Sequence, residues 1–183
     1  LDDLKDLRIR APTELLTVLD SLGADPVNMP MADVYSALSK GILDGVIAPT
    51  DTFRALHFTE VSKYYNTLRV PRGAYPARAM NARRWESLSE EHRRVLDAAT
   101  PVWEAALAKE TRAALSVGLK DAKDHGIVIA DMPPEEQERF DALYLRDAER
   151  NARSLERLGI DGLRAFKTAR ASLPARDQVE CKE

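Results

Sequence analysis

Arg10 stands near the end of the run Leu7-Arg8-Ile9-Arg10-Ala11-Pro12, in which apolar and cationic residues alternate. On a strand, a period of two buries one set and turns both guanidinium groups to the other face. Pro12 ends the pairing because it has no N–H to give, and a helical pattern follows at once. Arg10 is therefore expected at the carboxyl end of a strand in a strand-then-helix unit, where open α/β sheets hold their ligands. A planar guanidinium in that place can take a carboxylate in a two-pronged ion pair. The plainer alternative is a surface arginine with an ordinary ion-pair partner.

Other chemistries find little support. His57, His92 and His125 are scattered and show no H-x-x-x-H or H-E-x-x-H spacing, so no metal site is expected. There is no G-x-S-x-G elbow and no Gly-rich phosphate loop, and the lone Cys181 falls in the terminal segment. No nucleophile and no cofactor are therefore expected, and the chain reads as a non-enzyme. Glu90-Glu91 and Glu135-Glu136 read as first-turn helix charges rather than an acid/base couple, and Arg83-Arg84 and Arg93-Arg94 as solvated surface. Lys and Arg (27) and Asp and Glu (30) are intermixed, with a net charge of −3, which argues against a nucleic-acid footprint. A single cysteine excludes an internal disulfide framework but leaves the redox compartment open. No apolar run approaches the ~20 residues of a membrane-spanning helix.

The elements around Arg10 alternate strand and helix. Leu15, Leu16, Leu19 and Leu22 form one helical stripe, with Thr13 as N-cap and Gly23 as terminator. Residues 26–30 read as a short strand between prolines, and residues 32–40 as a second helix carrying Val34, Tyr35 and Leu38 inward. Asp44-Gly45 is a turn, Val46-Ile47-Ala48-Pro49 a third strand, and residues 51–57 a further helix presenting Phe53 and Leu56. This alternation predicts a parallel sheet. Extended stretches follow at 64–70 and 74–80. A long helix is expected from a Ser89 cap to about Asp124, with Val95, Ala99, Val102, Ala106, Ala113 and Val117 as its apolar stripe and Pro101 kinking or splitting it. Then come a strand at 127–130, a helix opened by Pro133-Pro134 that carries Phe140, Leu143, Tyr144, Leu155 and Leu158, and a last helix from about Asp161 with Leu163, Phe166 and Leu173.

Residues 4–12, Leu-Lys-Asp-Leu-Arg-Ile-Arg-Ala-Pro, resemble the D-L-K-G-L-K-I-R-V-P signature of TRAP-transporter solute-binding proteins (DctP-type), the extracytoplasmic receptors of tripartite ATP-independent periplasmic transporters. Three further blocks follow in that family's order. Gly23 to Leu38 is similar to G-A-x-P-x-x-M-x-F-x-E-V-Y-x-A-L, and Gly41 to Pro49 to G-x-V-D-G-x-x-x-P. Glu60-Val61-x-Lys63-Tyr64, then Met80-Asn81 and Trp85-x-x-Leu88-Ser89, resemble the crossing into the long helix.

The resemblance implies an α/β fold, a periplasmic-binding-protein-like lobe with a mixed, mainly parallel sheet flanked by helices, plus a long kinked spanning helix. It implies a periplasmic receptor, its signal peptide not in this chain, that binds a small organic acid and delivers it to membrane permease subunits. Arg10 matches the family's carboxylate clamp. Met31 stands where an aromatic residue often packs on the ligand, and Ala48, within Val46-Ile47-Ala48-Pro49, stands in place of a Q-E-N-P asparagine that bonds the ligand. The lost amide points away from sialic-acid and C4-dicarboxylate specificity and towards a less polar acid. Arg69, Arg72 and Tyr75 fall where the crossing segment passes the cleft. Family members are much longer, with a first lobe built largely from sequence before the arginine strand. Residues 1–74 and 116–183 then make the second lobe, and 75–115 the inter-lobe strand and spanning helix of an otherwise missing first lobe. Part of that helix, Trp103 included, is expected to expose apolar surface open to self-association. Two other readings stay open: a stand-alone structural or interaction module that self-associates through the long helix, and a small α/β enzyme.

Overall fold

The computed structural model describes residues 1–70 and 79–172, which fall in two compact units. One comprises Leu1–Asn28 with the described residues from Pro133 onward, and the other Met29–Met132.

In the first unit, β1 (Arg8–Arg10) and β2 (Asp25–Val27) pair in parallel, with Arg8 opposite Asp25 and Arg10 opposite Val27. The alternation sets their faces as expected, since Ile9 is buried while Arg8 is exposed and Arg10 half-buried. After Pro12 the chain makes a 3-10 turn, Thr13–Leu15, and then α1 (Leu16–Asp20). Thr13 is not the cap. Pro12 occupies that position and no side chain caps the turn. The buried stripe is Leu15, Val18, Leu19 and Leu22, so Val18 takes the place expected of Leu16, as the 3.6-residue period requires. The strand expected at 26–30 lies at 25–27 because pairing with β1 selects the register. α6 (Pro134–Ser154) packs on α1 and on α7 (Gly162–Ser172). Phe140 is fully buried, together with Gln137 and Asp147 on the same face. Gln137 donates to Asp141, and Asp147 accepts from Asn151, so these buried polar groups are bonded along the helix. Leu155 and Leu158, expected on the apolar stripe, lie instead in a 3-10 turn and are exposed, because the tighter turn rotates them off that face.

The second unit begins with α2 (Met31–Ser39), which buries Val34 and Ala37. Tyr35, expected inward, is exposed and donates its hydroxyl to Glu60 at 2.8 Å. β3 (Gly45–Val46) and α3 (Thr52–Ala55) follow. β4 (Tyr64–Asn66) then pairs in parallel with β5 (Val128–Ala130). Phe53 of α3 meets Tyr65 of β4 edge to face at 5.4 Å. α4 (Ala82–Ser87), not foreseen from periodicity, is capped by Asn81, which accepts from the N–H groups of Arg83 and Arg84.

Ser89 caps α5 (Glu90–Asp124) by accepting from the His92 N–H, as expected. The helix is not split at Pro101, where the imino acid removes one N–H donor and the turns on either side continue. The expected stripe faces solvent: Val95 is 62% exposed, Val102 70% and Val117 39%. The covered face is Trp103, Leu107, Thr111, Leu115, Gly118 and Ala122, spaced three or four apart. Trp103 is therefore half-buried rather than exposed.

α5 packs on α3 where Gly118 meets the loop before it. A Cβ at Gly118 would sit 2.0 Å from the Thr50 carbonyl oxygen and 2.7 Å from Asp51 Cα. Only glycine fits that approach. Gly118→Ala is expected to lower stability by about 1–3 kcal/mol through overpacking, read as the midpoint of urea unfolding. An unchanged midpoint would show that the two backbones do not meet in solution.

Candidate functional site

Arg10 closes β1 and stands at its carboxyl end. Arg8, two residues earlier and on the same face of the strand, reaches across the ladder to Asp25, Nε to Oδ2 at 2.7 Å, and helps hold the register. Beyond Arg10, the Ala11 N–H donates to the Val27 carbonyl and the Asn28 side-chain amide donates to the Ala11 carbonyl at 3.1 Å. Both backbone groups of Ala11, the residue after Arg10, are thus bonded. Burial pulls the pKa of the guanidinium below its ordinary value, and Glu14 opposes that shift. An arginine partly withdrawn from water binds a carboxylate more strongly than a fully solvated one, since the local dielectric is lower.

Met31 is the first residue of α2 and is half-buried. Ala48 is half-buried two residues beyond β3, in an otherwise apolar run of Val46, Ile47 and Pro49. Arg69 is exposed, three residues past β4. The crossing it belongs to is tied down at Thr67, whose hydroxyl donates to Asp131 and accepts from the Met132 N–H, both at 3.1 Å. Arg72 and Tyr75 lie outside the described residues. Arg10 belongs to one compact unit, and Met31, Ala48 and Arg69 to the other.

Among the described residues no group of three or more His, Cys, Asp or Glu side chains could hold a metal ion. Two surface hollows of about 360 and 790 Å³ occur in the second unit, one lined by Tyr35, Leu56, His57 and Glu60, the other by Met80, Trp85, Leu96 and Thr100. Neither takes in a residue expected at the site. Reading the sequence did not single out Asn28, whose amide bonds the backbone beside Arg10.

A family model described as bacterial extracellular solute-binding protein, family 7 (DctP), matches residues 1–152. The chain belongs to that family. Among family 7 relatives, a solute-binding protein of Roseobacter denitrificans is 34% identical over 92 residues, covering 49% of this chain and 28% of the relative. One from Chromohalobacter salexigens is 29% identical over 140 residues, 72% of this chain and 39% of the relative. Two crystal structures are similar in fold. A TRAP solute-binding protein from Rhodoferax ferrireducens, in complex with copurified benzoate, superposes with a TM-score of 0.77 at 28% identity over 92% of this chain and 54% of the other. A marine metagenome TRAP solute-binding protein specific for aromatic acid ligands, in complex with 3-hydroxybenzoate, gives 0.76 at 30% identity over 92% and 54%. The chain thus spans about half the length of these two structures and less of the curated relatives. Family 7 proteins are solute-binding receptors rather than enzymes, and this chain has their α/β lobe, rich in helix with small parallel sheets. Among the described residues no helix is long and apolar enough to cross a membrane.

The bond from Asn28 to Ala11 is expected to contribute about 0.5–1.5 kcal/mol. Asn28→Ala should therefore shift the unfolding midpoint by that amount while leaving the far-ultraviolet circular dichroism intact. A midpoint equal to wild type would exclude a supporting role for the amide behind Arg10.

Proposed function

We propose that this chain is the receptor component of a TRAP-type transport system, which binds an organic acid through its carboxylate in the periplasm and hands it to a membrane permease without covalent chemistry. The observation that carries the reading is a half-buried arginine at the carboxyl end of β1, on a bonded backbone, in a family 7 chain. Arg10 takes the carboxylate, Met31 and Ala48 offer apolar contact, and Arg69, Arg72 and Tyr75 line the approach. The apolar run Val46-Ile47-Ala48 favours an aromatic or otherwise weakly polar monocarboxylate. Support comes from the two similar proteins bound to benzoate and 3-hydroxybenzoate.

In this reading residues 1–74 and 116–183 make one lobe, and 75–115 pass to another, with α5 as the spanning helix bending at Pro101. The exposed Val95 and Val102 then belong to a face that the other lobe covers, whereas self-association through α5 has no observation in its favour. Ligand contacts that favour a closed state over an open one would supply the hinge motion on which delivery depends.

Calorimetric titration of the purified receptor with small carboxylates is expected to find at least one aromatic monocarboxylate that binds. Arg10→Ala should remove about 2–5 kcal/mol of that binding, roughly 30-fold or more in affinity. Binding undiminished in Arg10→Ala, or no binding by any acid, would sink the clamp.

A further inference from the structure

α6 runs into the 3-10 turn Leu155–Leu158, and α7 begins four residues later and packs against α6. The corner between the two helices is tightly held. A Cβ at Gly162 would sit 2.2 Å from the Ala152 carbonyl oxygen and 2.9 Å from Leu155 Cδ1, so the start of α7 lies directly on the end of α6. The corner nevertheless leaves large apolar side chains in water, with Leu158 67% exposed and Ile160 51%. Around them the charge is biased. Five basic and two acidic residues stand between positions 153 and 170, in a chain whose net charge is −3. Arg153 is paired with Glu149, and Arg164 with Asp161. Arg157, Lys167 and Arg170 are exposed and have no ion-pair partner among the described residues, Arg170 lying over the Phe166 ring at 5.9 Å. Lys167 and Arg170 are three apart on α7 and so are neighbours on its surface. This stretch lies beyond residues 1–152, which the family model matches, so the solute-binding core does not account for it.

We infer that the corner joining α6 to α7 is a membrane-contact surface, which docks on the headgroups of anionic phospholipid while Leu158 and Ile160 enter the interface. Charge and shape both select this partner. Unpaired cations are drawn to a surface whose negative charge is spread out, and long Lys and Arg side chains reach it without a matched carboxylate for each. The apolar part is a turn tip formed by Leu158 and Ile160, too small for the core of a stable protein interface but sufficient for shallow insertion at the headgroup boundary. The close packing at Gly162 presents that tip with little further ordering on contact. The inference does not depend on the organic-acid reading, although such a surface would keep a receptor near the membrane in which a permease lies.

The test is flotation of the purified receptor with vesicles of phosphatidylcholine alone and of phosphatidylcholine mixed equally with phosphatidylglycerol. Binding is expected to the anionic vesicles only, and should fall about tenfold or more between about 0.1 and about 1 M salt, as the Debye length shrinks from about 10 to about 3 Å. Arg157→Gln, Lys167→Gln and Arg170→Gln combined should weaken it by about 100-fold. Leu158→Ser with Ile160→Ser should weaken it by about tenfold. Both sets of variants should melt at the wild-type temperature, because the side chains they change already face water. Binding to neither vesicle, equal binding to both, or anionic binding undiminished in the glutamine variant would each overturn the inference. Dimers in light scattering that Leu158→Ser with Ile160→Ser abolishes, without vesicle binding, would give the corner to a second copy of the chain instead. Solute binding is read separately by calorimetry, so either reading can fail while the other stands.

Discussion

At Gly118 the backbone of a 35-residue helix touches the backbone of the loop that follows β3, with no side chain between them. Much of the second unit is arranged by that contact. It sets the face of α5 that is covered, and the Thr50 hydroxyl bonded to the Leu115 carbonyl keeps the loop in place. It also brings α3 down so that Phe53 meets Tyr65 of β4, whose partner strand β5 follows directly from the end of α5. Loop, helix and ladder are thus coupled through a few contacts, and the residues on the loop inherit the rigidity of the helix.

The first unit solves a similar problem by hydrogen bonding. A three-residue strand has few ladder bonds, so its register needs help. The Arg8–Asp25 pair is exposed and contributes little energy, but it opposes a slip. Asn28 adds a bond at the far end, beside Arg10. A charge held on such a backbone is suited to capture by electrostatics alone. No nucleophile, metal or proton relay is needed to hold and release an anion.

Much of this was legible along the chain. The alternation before Pro12 located Arg10, Ser89 located the start of the longest helix, and the ordered motif blocks pointed to the family whose model matches residues 1–152. These signals are local, since a strand's faces, a cap and a breaker depend on neighbours within a few residues. Other features were not legible. Tyr35 looked like a core residue by spacing, yet its hydroxyl reaches Glu60, 25 positions away. Gln137 and Asp147 occupy apolar-stripe positions in α6 as polar residues, and bonds to Asp141 and Asn151 on the same helix make that tolerable.

α5 shows the division most plainly. Composition and capping settled that residues 90–124 would be a helix, and periodicity found an apolar stripe at Val95, Ala99, Val102 and Ala106. Periodicity reports that a face is apolar and says nothing of what lies against it. A second face, running through Leu107, Leu115 and Gly118, is the one that packs, and at Gly118 the helix backbone comes close enough to meet Thr50 and Asp51. Asp51 lies at that approach through its Cα, a neighbour 67 positions away in the chain that no local pattern announces. Local chemistry wrote the elements and placed the arginine at a strand end, and distant backbone contact chose which faces are covered.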